Sequence, residues 1–268
     1  MVSRVRRAAG TRAVGHTGTL DPFATGLLVL LAGRATRLAR FTDGLAKTYR
    51  ATLQLGAATD TDDATGSVVE ERPLPQWPAE SVVREALAGM TGRQWQRPPA
   101  YSAKKVAGRR SYALARRGVD VVLPEVEVEV VSLELLRWAA PTLEFRATVG
   151  TGTYVRSLGR DLAGRLGTVG HLSALRRERI GPFDVADALP LGEVVPGITL
   201  RSAGTVVAHH PRHDLDEPAW AAVRHGRTIP AAGGPADGTV ALWYAGDVVA
   251  MAEVQPEGWH PIVVLEGA

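Results

Sequence analysis

The segment from Glu125 to Leu136 constrains the fold most, because Val and Glu alternate along its first residues. A period of two places the valines on one face of an extended strand and the carboxylates on the other. Thr142 to Val149 alternates in the same way after Pro141, so we predict an antiparallel pair of strands. A sheet with one apolar face has to be covered, and the rest of the chain must therefore supply helices and further strands.

Helical and extended patterns lie on both sides of this pair. We predict helices over Ala24–Leu31, Ala35–Phe41, Pro78–Met90 and Thr153–Leu166, and strands over Thr48–Gly56, Thr239–Val249 and His260–Leu265. Periodicity is lost between Ala188 and His210, which indicates a domain boundary. We therefore expect one α+β domain over residues 1–195 and a small β-rich domain over residues 205–268.

Composition excludes several classes of protein. The chain has 268 residues, of which 45% are hydrophobic, enough for one large core and a small second one. No run reaches the roughly 18 to 20 apolar residues that a membrane helix needs, and the basic N-terminus is not followed by an apolar signal core. With no cysteine there is neither a disulfide framework nor a thiolate nucleophile. We expect a cytoplasmic protein that has no membrane partner.

Basic and aromatic residues are concentrated between Arg93 and Arg117, where eight basic side chains meet no carboxylate. Trp95, Tyr101 and Tyr112 are interleaved with them. Basic side chains bind phosphates while aromatic rings stack on unpaired bases, so this stretch fits a single-stranded or looped RNA. The same composition also fits a solvated, arginine-rich surface loop, and the residues alone leave both interpretations open.

The segment from Gly15 to Gly26 concentrates glycines, hydroxyl residues, one imidazole and one carboxylate in twelve positions. Such a composition is typical of a shaped loop that presents one side chain, here Asp21. An Asp before a Pro is also common as a turn or helix cap, and composition does not separate the two interpretations.

The same string, Gly-His-Thr-Gly-Thr-Leu-Asp-Pro-Phe-Ala-Thr-Gly, resembles the signature of the TruB family of bacterial tRNA pseudouridine synthases, whose catalytic Asp stands in the matching position. The resemblance covers roughly residues 1 to 185. Its further pieces follow in family order at residues 33–37, 47–50, 55–61, 98–105 and 152–158.

The resemblance implies a fold and a reaction. The fold is α+β, with a central, mostly antiparallel mixed sheet flanked by helices and a small C-terminal β-rich domain similar to PUA domains. The reaction isomerises the T-loop uridine (position 55 of tRNA) to pseudouridine after the base is flipped out of its stack. No redox change or energy input is needed, so the resemblance implies neither a cofactor nor a metal. Asp21 would be the nucleophile, attacking C1′ of the ribose or C6 of the base.

Further roles are carried over by position. A carboxylate in a water-poor pocket stays ionised only beside a cation, and Arg156 matches the family position that supplies one. Tyr49 would stack on the target base and remove the C5 proton, Tyr154 would line the uracil site, and His16 would hold the flipped nucleotide. The remaining expected RNA contacts are Arg37, Tyr101, Lys104, Lys105, Arg109 and Arg176, several of them in an insertion over residues 93–120 that closes over the T-loop.

The expected partner is tRNA, bound through its T-arm, and we expect a monomer. The C-terminal domain either docks on the acceptor stem or only stabilises the protein, and the sequence leaves both roles open. Family members begin with a strand and loop before the first helix, and we expect this chain, starting at Met1, to lack them.

Two alternatives compete: a non-catalytic tRNA-binding protein or tRNA folding chaperone, and a phosphoryl-transfer enzyme with magnesium on Asp60, Asp62 and Asp63. No Gly-rich phosphate loop accompanies these three residues, and we interpret them as an exposed polar turn.

Overall fold

The computed structural model of the chain describes residues 1–101, 105–106, 109–110, 123–231 and 238–265. The chain forms two compact units, each built from separate stretches. The sheet unit comprises residues 20–27 and 44–188, and the terminal unit comprises residues 1–19, 28–43 and 189–268. The domain boundary expected between residues 195 and 205 stays a prediction.

The elements are given in chain order. The strands are β1 (Val14–His16), β2 (Thr25–Gly26), β3 (Leu30–Ala32), β4 (Lys47–Leu55), β5 (Ala57–Thr59), β6 (Val68–Glu71), β7 (Gly92–Gln96), β8 (Lys105–Val106), β9 (Arg109–Arg110), β10 (Val126–Ala139), β11 (Thr142–Val149), β12 (Gly170–Ile180), β13 (Phe183–Asp184), β14 (Arg212–Asp214), β15 (Thr239–Tyr244), β16 (Asp247–Gln255) and β17 (Gly258–Val264). The helices are α1 (Val2–Ala8), α2 (Glu80–Ala88), α3 (Val155–Arg165) and α4 (Glu217–Val223), with 3-10 helices at Gly33–Thr42, Val185–Asp187, Leu191–Glu193 and Ala203–Val207.

The sheet unit is built on a seven-stranded mixed sheet with the order β13-β12-β4-β11-β10-β7, in which β2 pairs in parallel with β12. The predicted strand pair is confirmed, since β10 and β11 run antiparallel. Alternate residues such as Leu53 and Phe145 point to one face and are almost fully buried. Helices α2 and α3 cover that face through residues such as Val83 and Leu158. The helices predicted over residues 78–90 and 153–166 and the strands predicted over residues 48–56 and 260–265 are confirmed, but a turn at residues 245–246 divides the strand predicted over residues 239–249 into β15 and β16.

The helix predicted over Ala24–Leu31 is wrong. The segment is extended, with β2 beside β12 and the Leu27 N–H donating to the Arg177 carbonyl at 2.8 Å. Gly26 has a φ of 99°, which a helix does not accept, so the apolar residues are buried by an extended chain instead. The loop with Asp21 therefore leads into a strand. Residues 33–42 are helical as predicted, but with 3-10 geometry.

The terminal unit has a four-stranded sheet with the order β14-β15-β16-β17. Its core includes Val240 and Trp259. Asp216 caps α4 by accepting the Ala219 N–H at 2.9 Å. In the same unit a smaller cluster joins α1 to the β1–β3 hairpin. The α+β fold class, with a mixed central sheet and a C-terminal β-rich unit, is confirmed. Among the helices that the structure describes, none combines the length and apolar character needed to cross a membrane.

Candidate active site

Asp21 and Arg156 form a two-point ion pair in the sheet unit. Arg156 Nε lies 3.0 Å from Asp21 Oδ2, and Arg156 Nη2 lies 3.2 Å from Asp21 Oδ1. The Arg156 side chain is 5% exposed, whereas that of Asp21 is 32% exposed. The carboxylate is therefore held from behind by a buried guanidinium while one side of it stays open to a ligand.

The same guanidinium binds two main-chain carbonyls. Nη1 donates to the Thr61 carbonyl at 2.8 Å, and Nη2 donates to the Tyr101 carbonyl at 2.9 Å. Nη1 also lies 3.5 Å from Oδ2 of Asp63, whose side chain is buried. The buried charge of Arg156 is thus balanced by two carboxylates and hydrogen-bonded on all three nitrogens, which is the condition under which a buried arginine is tolerated.

Local structure explains where Arg156 lies. Tyr154 is the residue before the first turn of α3, and its main chain is held by the buried amide of Gln96. The Tyr154 N–H donates to Gln96 Oε1 at 2.8 Å, and Gln96 Nε2 donates to the Tyr154 carbonyl at 3.2 Å. Because this contact fixes the start of the helix, it also fixes the direction in which the second helical residue projects.

The other side of the site is held by Arg177, which is 1% exposed. Arg177 Nε donates to the Leu27 carbonyl at 2.8 Å. The adjoining strand β2 begins only four residues after Asp21. Residue 26 touches the Arg177 main chain so closely that only glycine fits. The last glycine of the Gly15–Gly26 string therefore has a packing role, which is to let the Asp21 loop lie against β12.

Tyr49 lies on β4 directly opposite Arg177 and packs against the core of the sheet unit. Burial raises the pKa of the Tyr49 phenol, and the charge of Asp21 acts in the same direction. A hydrogen bond and the positive charge from Arg177 oppose this increase without cancelling it. The phenol is therefore neutral at physiological pH, with its oxygen accepting from a buried arginine.

The other predicted site residues of the sheet unit lie at its surface or are partly buried. Tyr101 and Tyr154 are half-buried, and Arg176 is exposed. Arg176 and Arg177 thus point to opposite sides of β12, as neighbours on a strand do. Arg177 is therefore not part of the surface on which Arg176 lies.

Two predicted contacts, His16 and Arg37, belong to the terminal unit. His16 is exposed at the end of β1, where it is paired with Leu30. Arg37 is exposed on the 3-10 helix over residues 33–42, and its Nη1 donates to the Val264 carbonyl at 2.5 Å. Arg37 thus connects this helix to β17, a role in stability that its position in the motif did not suggest. The RNA contact expected of both residues stays a prediction.

The basic insertion is described only in part. Lys105 and Arg109 lie on β8 and β9, which form an antiparallel pair in which Lys105 faces Arg110 and Val106 faces Arg109. Lys104 lies outside the described residues. The RNA-binding roles of these three residues stay predictions.

The sequence did not indicate that the acidic loop, defined here as residues 59–66, is part of the site. Asp63 is buried, and its Oδ1 accepts from the Thr61 and Thr65 hydroxyls at 2.9 and 2.6 Å. Asp62 forms an ion pair with Arg160 at 3.0 Å and has a side chain only 14% exposed. Our interpretation as an exposed turn is therefore wrong for these two residues. The one available signal was a run of five polar or charged residues, 59–63, which composition alone assigns to solvent.

Known proteins resemble this chain over most of its length. Residues 6–155 match the TruB family pseudouridylate synthase (N terminal domain). The chain is 44% identical to the tRNA pseudouridine synthase B of Leifsonia xyli subsp. xyli, over 94% of this chain and 87% of that protein. It is 41% identical to the tRNA pseudouridine synthase B of Thermobifida fusca, over 100% of this chain and 94% of that protein.

Solved structures show the same fold. An archaeal box H/ACA sRNP Nop10–Cbf5 complex contains a chain that superposes with a TM-score of 0.72 at 22% identity, over 98% of this chain and 80% of that one. A Cbf5–Nop10–Gar1 complex gives the same TM-score at 24% identity. The family match and the relatives agree, and this chain belongs to the TruB family of pseudouridine synthases.

Proposed function

We propose that this chain is a tRNA pseudouridine synthase, an isomerase that converts the T-loop uridine (position 55 of tRNA) into pseudouridine. The observation that carries the proposal is the open Asp21 carboxylate held by the buried Arg156. An ionised carboxylate with one accessible side is what nucleophilic catalysis on a nucleoside requires. The names of the relatives, tRNA pseudouridine synthase B, supply the substrate class.

The reaction needs only the chain's own residues. The N1–C1′ bond breaks, the detached uracil turns, the C5–C1′ bond forms, and a proton passes from C5 to the solvent while N1 gains one. Asp21 acts as the nucleophile, and Arg156 orients its carboxylate through a two-point ion pair. Tyr49 stacks on the base. Because its phenol is neutral, it is better suited to stacking than to removing the C5 proton as a phenolate. Tyr154 would line the uracil site, and His16 would hold the flipped nucleotide.

Recognition of the RNA is part of the same proposal. The basic residues Lys104, Lys105, Arg109 and Arg176, with Arg37 and Tyr101, would contact the T-arm, because RNA loops are bound through phosphates and stacked bases. The terminal unit's four-stranded sheet would contact the acceptor stem. A monomeric state and a cytoplasmic location belong to this proposal as well. The non-catalytic alternative is not favoured, since the relatives carry the names of synthases.

The test is release of tritium from C5 of uridine in a labelled, unmodified tRNA transcript. Asp21→Asn should abolish release while tRNA binding stays within about 3-fold, whereas Asp43→Asn, at an exposed carboxylate of the terminal unit, should release label like the unmodified chain. Release by Asp21→Asn at the full rate would contradict the assignment of the nucleophile. Tight tRNA binding without any release by the unmodified chain would favour the non-catalytic alternative. A transcript with cytidine at the T-loop position tests the target uridine.

A further inference from the structure

The orientation of Arg156 depends on two loops. Apart from Asp21, its closest partners are the carbonyls of Thr61 in the acidic loop and of Tyr101 in the insertion base, defined here as residues 96–101. Neither carbonyl belongs to a helix or a strand. A shift of either loop would therefore move the guanidinium that holds the nucleophile, so whatever fixes these loops also fixes Asp21.

Arg160 contacts both loops beside the places where Arg156 contacts them. It lies four residues after Arg156 on α3, and residues at this spacing share one face of a helix. Arg160 Nη1 lies 3.0 Å from Oδ2 of Asp62, the neighbour of Thr61, and Nη2 donates to the Arg97 carbonyl at 2.9 Å. The third nitrogen, Nε, lies 3.0 Å from Asp161 Oδ1, which orients the guanidinium. The side chain is 32% exposed, so these bonds are shielded in part from water.

The acidic loop has a conformation that needs such a partner. Asp62 has a φ of 58°, in the left-handed region that non-glycine residues seldom adopt. Burial raises the pKa of its carboxyl group, and the charge of Arg160 opposes that increase. Strained and partly buried residues persist only where their surroundings determine them, and here the Asp62 carbonyl also accepts the Leu172 N–H at 3.0 Å.

The insertion base is held to the same helix at three points. Ser157 Oγ donates to the Arg97 carbonyl at 2.9 Å, so this carbonyl accepts from both Ser157 and Arg160. Gln96 is bonded to the main chain of Tyr154, and Tyr101 to Arg156. One face of α3 thus holds the segment that leads into the basic insertion.

We propose that Arg160 is a positioning residue of the active site: with Asp62 and Ser157 it holds the acidic loop and the insertion base, and through their two carbonyls it sets the orientation of Arg156 and Asp21. Arg160 does not touch the nucleophile. The inference rests on the proposed function, because its effect is on the isomerisation step. It predicts that the position of the insertion base and the orientation of Asp21 are coupled through two arginines one turn apart.

The experiment is single-turnover tritium release with enzyme in excess, together with the Kd for the same tRNA. Arg160→Gln should lower the rate about 10- to 100-fold, since small misplacements of reacting groups have effects of this size, while the Kd changes less than about 3-fold. Arg160→Lys keeps the charge but loses the planar guanidinium that bonds both loops at once, and its rate should be intermediate. Arg165→Gln, on the exposed last turn of α3, is the matched control and should keep the full rate.

A double-variant cycle separates positioning from general loss of folding. Asp62→Asn removes the charge but keeps a residue that tolerates positive φ, and it should lower the rate about 10-fold. The double variant with Arg160→Gln should have a rate within about 2-fold of that of Arg160→Gln alone, because the two side chains act through one contact. All variants are assayed well below their measured unfolding temperatures. An unchanged rate in Arg160→Gln, a loss that follows the unfolded fraction, or a matching loss of tRNA affinity would each overturn the inference. If the unmodified chain itself released no label, the proposed function would fail instead.

Discussion

The α-carbon of Gly26 lies so close to the carbonyl of Arg177 that a β-carbon on Gly26 would be 2.2 Å from that oxygen. This contact allows β2 to pair with β12. The Leu27 N–H then donates to the Arg177 carbonyl, and the Leu27 carbonyl accepts from Arg177 Nε. Because Arg177 also bonds Tyr49, the same glycine connects the Asp21 loop to the aromatic side of the site.

Gly26→Ala should therefore be strongly destabilising. The added methyl group meets main-chain atoms that cannot rotate away, and the φ of 99° adds strain. We expect the free energy of unfolding in urea to fall by at least about 2 kcal/mol. Gly167→Ala is the matched control, because Gly167 has a φ of 78° with open space around it and should cost about 1 kcal/mol from strain alone. Equal losses in the two variants would contradict the packing role.

Arg156→Lys should lower the rate of tritium release by about 100-fold or more. A lysine keeps the charge but offers one ammonium in place of the planar fork that bonds Asp21 twice and two carbonyls besides. Arg165→Lys, which removes a guanidinium bonded to the Gly89 carbonyl away from the site, should leave the rate unchanged. A full rate in Arg156→Lys would show that charge alone is sufficient.

Tyr49→Phe should change how stability depends on pH. The raised pKa of the Tyr49 phenol means that the folded state favours the neutral form, so its contribution is complete below pH 10 and is lost as the pH rises through the raised value. Thermal unfolding from pH 7 to 11 should show the unmodified chain losing stability faster than Tyr49→Phe above about pH 10. Below that pH the variant should be less stable by about 1 kcal/mol, because Arg177 loses its acceptor. If the stability of the two proteins fell in parallel over the whole pH range, the raised pKa of Tyr49 would be contradicted.

The basic insertion supports a prediction about salt. Lys104→Ala combined with Arg109→Ala should weaken tRNA binding and reduce the slope of log affinity against log salt by about one unit for each lost phosphate contact. Arg84→Ala is the control, because Arg84 is exposed on α2 and paired with Glu80. A slope identical to that of the unmodified chain would show that these side chains do not contact phosphates, and it would favour the interpretation of the insertion as a solvated surface loop.

Periodicity was sufficient for the regular elements of the fold. The alternating segments became β10 and β11, and the amphipathic patterns became α2 and α3, because burial of one face selects a period of two or 3.6. The apolar segment after Asp21 failed as a prediction for the same reason. A short apolar run carries no period, and only its pairing with β12 made it extended.

For the site, the sequence by itself predicted Asp21 as the nucleophile, since the string around Asp21 resembles the signature of one family and lies within twelve consecutive residues. The resemblance also implied Arg156 as the partner of Asp21, whereas only the tertiary structure decided what holds this pair in place. Arg156 lies 135 residues away in the chain, and Asp62, Asp63 and Arg177 look in the sequence like solvated charges. A charge is buried or exposed according to the partners that folding brings within about 3 Å of it, and these contacts leave no periodic trace in the sequence.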